Sequence, residues 1–408
     1  MKYVRNKFPT SLMRRGSRLY RISKILRLSE MCIAIFFIAT TLSFAIFFSN
    51  TYGISTVLAP INPIAIKPII NTRGASSPIT IKTPKKPKTE EGKTAVLGTT
   101  ITSQSSTTSS ESAVIPAKPI WTSMSLYADP TNSATQYAIA NPAVTDIGYI
   151  TRIGQKPVAQ WFGDWNSNVT NDVNVYVSAA ASTNSIPVLV LYNIPIRDCG
   201  GYSTGGATSL AAYTQWIQQV AAGIGNRSAV VVLEPDALGA LDCLSTAALQ
   251  QERYNAISEG VSILKTHSQT YVYIDAGTPV WQSTETMSNR LRLAGVASAD
   301  GFSLNVSYFA STSLNQSYGD ELSGLIGNKH YVIDTSRNGG NNSVSGAICN
   351  PSYASLGTSP TTNTGNIRND AFLWIKIPWE SDGPCNGSPN PGVGYWSYAI
   401  QLAKNAGW

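Results

Sequence analysis

From about residue 118 onward the chain alternates between apolar runs of strand length and helix-like stretches, and this alternation restricts the fold more than any other feature. The runs are VAQWF (158–162), IPVLVLY (186–192), AVVVL (229–233), TYVYI (270–274), GFSLNV (301–306), HYVI (330–333) and FLWIKI (372–377). Between them lie segments such as TSLAAYTQWIQQVAAGI and LSTAALQQERYNAISEGVSILKTH. Near-continuous apolar strands separated by helices mark a parallel sheet covered on both faces. About seven such units predict an α/β fold with a closed or nearly closed parallel barrel.

Polar residues gather where these runs end. In turn come Trp161 and Asp164, Arg197 and Asp198, Glu234 and Asp236, Asp275, Asn305, Asp334 and Arg337, and then Lys376, Glu380 and Asp382. An α/β barrel collects its active site from the C-terminal strand ends, so residues far apart in sequence meet at one mouth. Singly, Asp164 or Asp334 could equally cap a helix or turn, and Asp275-Ala276-Gly277 could be a turn. Turn chemistry does not, however, require Arg197 beside Asp198, or Lys376, Glu380 and Asp382 in one short loop. The segment VVVLEPD poses the sharpest question: a buried strand that runs straight into Glu234 and Asp236 is either leaving for solvent or building a site, because burying a carboxylate is costly unless it is paired or protonated.

Aromatic residues stand beside these acids: Trp161, Trp165, Tyr192, Trp281, Trp374 and Trp379, whereas Trp216 in a helical stretch is assigned to the core. Sugar rings present a CH face to aromatics and hydroxyls to acids and amides, so this crowding suits a carbohydrate site. Two carboxyl groups in different environments would supply glycosidic cleavage.

Charge and composition narrow the classes. Residues 1–30 carry nine Lys or Arg against one acid, whereas Lys118 to Trp408 holds 14 basic and 19 acidic residues, a net of −5. The basic balance of the chain is therefore a property of its N-terminus, and a nucleic-acid partner is not expected. Met31 to Phe48 is an uncharged apolar run of 18 residues, long enough to cross a bilayer core. The preceding arginines put its N-terminal side in the cytoplasm and the rest outside. Residues 31–49 are thus expected to be a transmembrane signal-anchor or a signal peptide, residues 50–117 a Pro/Lys-rich then Ser/Thr-rich linker, and residues 118–408 an exported folded domain. Cys199, Cys243, Cys349 and Cys385 form an even set that suits two disulfides. With only two histidines, His267 and His330, and no C-x-x-C, neither a zinc site nor a Ser-His-Asp triad is expected.

The segments VLYNIPIRDCGG (190–201) and VVVLEPDAL (230–238) resemble the paired signatures of glycoside hydrolase family 6, the cellulases that include endoglucanases and cellobiohydrolases. YIDAG, FSLNVS, VIDTSRNG and WIKIPWESDG follow in family order, and the resemblance spans roughly residues 118–408. It implies a distorted, incomplete parallel barrel, inverting hydrolysis of β-1,4-glucan and no cofactor or metal. It further implies Asp236 as general acid, Asp198 as the aspartate that raises its pKa, and Asp382 as the candidate base. Tyr192 would lie beneath the reacting sugar and Ser203 would hold the water. Arg197 and Arg337 would orient carboxylates. Lys376 and Glu380 would bind sugar hydroxyls, with Trp161, Asp164, Trp281, Asn305 and Trp374 completing the substrate-binding set. The disulfides implied are Cys199–Cys243 and Cys349–Cys385. Thr278, Ile348, Tyr308 and Trp379 depart from the family pattern, at positions expected to line the cleft. A domain of about 290 residues leaves little room for loops that roof a tunnel, which favours an open cleft and endo cleavage. The expected partner is a β-glucan, and the protein is expected to be a monomer working outside the cell. The competing expectations are a tethered protein that only binds glucan, and an exo-acting enzyme or one cutting another β-glycan.

Overall fold

The strand AVVVL is the centre of the architecture. In the computed structural model, which describes residues 115–340 and 349–408, this strand, β5 (Ala229–Leu233), is wholly buried. The remaining strands are β1 (Ser125–Leu126), β2 (Gln160–Phe162), β3 (Ser185–Ile186), β4 (Val188–Leu191), β6 (Thr270–Asp275), β7 (Gly301–Leu304), β8 (His330–Asp334) and β9 (Asn369–Leu373). Seven of them form one parallel sheet in the order β2-β4-β5-β6-β7-β8-β9, and β1 pairs separately with β3. The basic lead, the apolar run and the linker expected before residue 115 lie outside the described residues.

Alternating side chains give the sheet two apolar faces. Leu189, Leu191, Val231, Leu233, Val272 and Ile274 join the layer under the helices. Val188, Val190, Val230, Val232 and Tyr273 point the other way, into a second cluster plugged by Trp121. The helices are α1 (Ser133–Ala140), α2 (Ile147–Gly154), α3 (Val169–Ser182), α4 (Leu210–Ile224), α5 (Ala247–Leu264), α6 (Thr284–Leu293), α7 (Thr312–Leu325) and α8 (Trp396–Asn405). Ser209, Thr246, Ser283 and Ser311 cap α4 to α7, each accepting from a first-turn amide. Trp216 of α4 is in the core, as expected.

The sheet curls but does not close with a ladder. Its two edges are joined by the Ala159 N–H donating to the Trp374 carbonyl at 3.0 Å and the Trp161 indole N–H donating to the Ile375 carbonyl at 2.8 Å. The barrel is therefore incomplete on the side where the first and last strands meet.

The last strand differs from the sequence reading. It starts at Asn369, three residues before the run FLWIKI, and the chain leaves it after Leu373. Asn369 and Asp370 are fully buried, which an apolar-run criterion misses. The Asp370 carboxyl is satisfied locally, accepting from the Tyr273 hydroxyl at 2.6 Å and facing Nδ1 of His330 at 2.7 Å; Lys118 Nζ donates to the Asn369 backbone carbonyl, while the Asn369 side-chain amide is buried without a hydrogen-bond partner.

Candidate active site at the strand ends

Beyond β5 the backbone turns sharply, with Glu234 at φ 51° and Asp236 at φ 68°, a region that residues with a Cβ rarely adopt. The turn sends the two acids to different tasks. Glu234 faces inward, and its carboxylate accepts from the backbone N–H groups of Asn193 and Ile194, each at 3.0 Å. Burial lifts its pKa to about 7 against the pull of those donors, Tyr213 and Arg253. Glu234 thereby fastens the loop after β4 to the end of β5.

Asp236 is held by its main chain. Its N–H donates to Oδ1 of Asp275 at 3.0 Å, and Asp275 also accepts from the Gly277 N–H at 3.0 Å and the Ser303 hydroxyl at 3.0 Å. Burial pushes the Asp236 carboxyl far above the usual range, and the charges of Asp275 and Asp198 add to it, with the Tyr308 hydroxyl as the opposing donor. Burial likewise lifts Asp275 to about 6. Oδ1 of Asp236 is buried without a hydrogen-bond partner. A protonated carboxyl with one uncommitted oxygen is equipped to give a proton to something that enters the mouth.

The loop after β4 carries Asp198 through a strained stretch, with Ile196 and Asp198 both at φ 56° and Cys199 at φ 49°. Oδ2 of Asp198 accepts from the Ser203 N–H at 2.6 Å, so Ser203 meets Asp198 through its backbone. The carboxylate that Arg197 orients is that of Asp164. Its guanidinium pairs with Asp164 at 3.0 Å and donates to the Tyr192 carbonyl at 2.8 Å and the Ser203 carbonyl at 2.8 Å, and it lies over the rings of Tyr192 and Trp165. Asp164, offered as a sugar ligand, is the exposed partner of that pair and also accepts from the Gly206 N–H. The Cys199–Cys243 disulfide pins this loop to the segment after β5.

Asp382 has the opposite electrostatic setting. Arg337 donates to its Oδ2 at 2.8 Å, the Asn350 N–H donates to the same oxygen at 3.0 Å, and Lys376 Nζ stands 3.6 Å from Oδ1. Burial pushes the carboxyl up, but Arg337 and Lys376 outweigh it and hold the pKa below the ordinary value. Arg337 fixes the orientation of this carboxylate. Nearby, burial raises Glu380 to about 7, with Lys376 pulling it down. The Cys349–Cys385 disulfide closes the same corner; both disulfides are those the resemblance implied.

The aromatic set divides. Trp161 is half-buried and stands edge-on to Tyr192 at 5.4 Å between ring centroids. Trp281 is exposed and lies 5.7 Å from Tyr308. It rests on Gly239, where an added Cβ would come within 2.6 Å of the indole. Trp374, expected as a platform, is instead a core residue. It is 1% exposed, its indole N–H is spent on the Thr358 carbonyl, and its ring stacks on Trp408. Trp379, placed in the cleft by its departure from the family pattern, is also buried, donating to the Ser133 hydroxyl. The apolar wall formed with α1, α2 and α8 claims both rings. Ile348 lies outside the described residues. Asn305 is fully buried, donating to the Asp334 carbonyl at 3.0 Å and accepting from the Ala310 N–H at 3.2 Å, so it shapes the turn after β7 and does not reach the mouth. Thr278 is also fully buried and donates to Asn305.

Four contributors escaped the candidate set. Glu234 and Asp275 were visible as strand-end acids, but their role as backbone clamps depends on which amides meet them. Asn350 has no sequence signal at all. Asp334 proves to be a clamp of the same kind, accepting from Ser307, Ser336, Ile375 and Lys376 N–H groups. Among the described residues no cluster of His, Cys, Asp or Glu is arranged to hold a metal ion. A cavity of about 920 Å³ lies away from the acids, between Tyr127, Asp129 and α3; none of the candidate carboxylates Asp198, Asp236 and Asp382 lines it, and the chemistry is assigned to the strand ends on charge and geometry.

Known proteins resemble this chain in sequence and fold. The profile of Glycosyl hydrolases family 6 matches residues 121–406. Endoglucanase 1 of Streptomyces halstedii is 42% identical over 293 residues, covering 70% of this chain and 88% of the relative. Endoglucanase A of Thermobispora bispora is 43% identical over 286 residues, covering 69% of this chain and 62% of the relative. Among solved structures, an endoglucanase of Mycobacterium tuberculosis in complex with a methyl-cellobiosyl thio-cellobioside superimposes with a TM-score of 0.67 at 42% identity, covering 70% of this chain and 98% of that one.

Proposed function

The chain belongs to the glycosyl hydrolases of family 6, and on that premise we propose that it cuts internal β-1,4-glucosidic bonds of β-glucan with inversion at the anomeric carbon. One observation carries the reading: two carboxyl groups at one mouth are driven in opposite directions, Asp236 upward by burial and neighbouring acids and Asp382 downward by Arg337 and Lys376. A group that keeps its proton and a group that stays ionised are the acid and base that an inverting glycosidase needs.

In this mechanism Asp236 protonates the leaving glycosidic oxygen. Asp198 maintains the acid's affinity for its proton and helps to guide the water, whose position the loop carrying Ser203 defines. Asp382 accepts the proton that the water loses. Tyr192 underlies the reacting sugar, Trp161 and Trp281 offer ring faces, and Lys376 and Glu380 bind hydroxyls. The names of the similar bacterial proteins, which are endoglucanases, favour internal cleavage. The same relatives and the two disulfides support a working place outside the cytoplasm. The reading places the catalytic unit at residues 118–408, with residues 50–117 as tether and Met31 to Phe48 as the membrane segment if it is retained.

The test compares the full chain with Asp236→Asn on barley β-glucan and carboxymethylcellulose. Reducing-sugar release with α-anomers appearing first, and a loss of roughly two to four orders of magnitude in the variant, is the expected result. A folded parent that releases no sugar from either polymer overturns the reading and leaves a glucan-binding protein.

A further inference from the structure

Helix α5 sends one buried side chain between the two loops that carry Asp198 and Asp236. Arg253 is 4% exposed, and the two ends of its guanidinium fork point to different loops. Nη2 donates to the carbonyls of Pro195 at 2.8 Å and Ile196 at 3.2 Å, just before Asp198. Nη1 donates to the Ala237 carbonyl at 3.2 Å, directly after Asp236. The first attachment continues a pattern begun by Glu234, which takes the N–H groups of Asn193 and Ile194. Pro195 has no N–H to give, and from there the loop turns its carbonyls to Arg253. The backbone held in this way is strained. Ile196 is β-branched and stands at φ 56°, a combination that persists only where the surroundings enforce it. The Cys199–Cys243 bridge joins the same two loops, but it meets the second loop well beyond Asp236 and leaves the flanks of both acids to Arg253.

We infer that Arg253 is a positioning residue for the acid pair: its fork ties the backbone before Asp198 to the backbone after Asp236 and so fixes how the two loops stand to each other. The inference rests on the hydrolase reading above, in which Asp236 gives the proton and Asp198 sustains its proton affinity. A planar fork suits the task, because two nitrogens at a fixed separation define a distance between two loops, whereas the single nitrogen of a lysine sets no such distance. All three bonds go to main-chain carbonyls, so Arg253 acts through the backbone. The titratable groups around it are Glu234 at the end of β5, Tyr213 of α4 and Tyr192 after β4. Those facing Asp236 are Asp275 of β6, Asp198, Tyr192 and Tyr308. Among the latter, Asp198 is the charge carried by the strained stretch that Arg253 holds. Loosening that stretch withdraws the charge from Asp236 and lets the acid lose its proton at lower pH.

The experiment compares the full chain with Arg253→Lys on cellotetraose, measuring kcat, KM and their pH dependence, and urea unfolding records the stability of each. Lysine keeps the positive charge beside Glu234 and removes the fork. The expected result is a fall in kcat on the order of tenfold, KM little changed, and an alkaline limb of kcat/KM moved to lower pH. An unmoved limb overturns the inference whatever happens to kcat, because a loss of folded molecules lowers the rate without changing the acid's affinity for its proton. A raised KM with unchanged kcat overturns it as well and makes the loops' spacing a matter of sugar binding. Should the lysine variant not fold, Arg253→Met repeats the comparison without burying an unpaired ammonium. A limb at lower pH is again the expected result and the stricter one, since loss of the charge alone would move it upward; an unmoved or raised limb in that variant overturns the inference. An inactive parent instead removes the hydrolase reading, and this inference falls with it, a pattern distinct from the others.

Discussion

Asp275 takes the backbone N–H of Asp236 at 3.0 Å and leaves the Asp236 side chain free. Position and reactivity are thus separated between two acids at the ends of adjacent strands: one grips the main chain, and the other presents its carboxyl beyond the turn after β5. Because Asp275 also raises the pKa of Asp236 through its charge, the two effects can be separated by mutation. Asp275→Asn keeps an acceptor but removes the charge, and is expected to move the alkaline limb of kcat/KM to lower pH. Asp275→Ala strands the N–H groups of Asp236 and Gly277 and the Ser303 hydroxyl, and is expected to cost about 3 kcal/mol of stability by urea unfolding. A wild-type midpoint in the alanine variant would contradict the clamp.

Lys376→Met tests the opposite corner. Burial already pushes Asp382 upward, and Arg337 and Lys376 overcome it. With Lys376 neutralised the carboxyl holds its proton at higher pH, so the acid limb of kcat/KM is expected to rise. Were that limb to stay in place, Asp382 would not be the base.

Glu380 gives a pH dependence of stability. Its folded pKa of about 7 lies above the ordinary 4.5, so between those values the folded state binds more protons than the unfolded chain. Its contribution is therefore fully present at low pH and is lost as pH rises through the folded pKa. The loss amounts to roughly 3 kcal/mol across the window. Thermal unfolding is expected to show a falling midpoint from acid to neutral pH, with a shallower slope in Glu380→Gln. Glu234, raised to about 7 for the same reason, preserves part of the slope in that variant. Parallel slopes in parent and variant would show that Glu380 titrates as an ordinary surface acid.

The disulfides close chain segments of 44 and 36 residues in sequence separation, for which loop-closure entropy gives about 4 kcal/mol each. Replacing Cys199 and Cys243 together by serine is expected to lower stability by that order and to loosen the Asp198 loop, reducing kcat as well. Replacing Cys349 and Cys385 is expected to act through Asn350 and Asp382. Full stability with both bridges absent would mean that the loops are held by packing alone.

Much of the fold was legible because each element is locally coherent. Val230 to Leu233 could hardly be anything but a central parallel strand, since four successive apolar residues have a place only where both faces are covered. The capping residues Ser209 and Thr246 precede their helices as capping physics requires. The last strand was less legible, because Asn369 and Asp370 look like loop residues until Tyr273 and His330 arrive to satisfy the Asp370 carboxyl and Lys118 to bond the Asn369 carbonyl. The aromatic residues were ambiguous for a similar reason. Trp281 and Trp374 are the same kind of side chain beside the same kind of strand end, and only the layer that α8 builds over Trp374 makes one core and leaves the other at the surface.

The sequence by itself determined the parallel α/β class, the acids at the strand ends, the cysteine pairs through family resemblance, and the family to which the chain belongs. Tertiary structure alone decided that Arg197 spends its charge on Asp164, that Glu234 and Asp275 are clamps while burial and neighbouring acids raise the pKa of Asp236, and that Arg337 joins the turn at Ser307 to Asp382. The reason is physical. Strand and helix preferences follow from neighbours a few residues apart, whereas a carboxyl's charge state depends on burial and on charges brought to it from distant strands, which exist only once the barrel has formed.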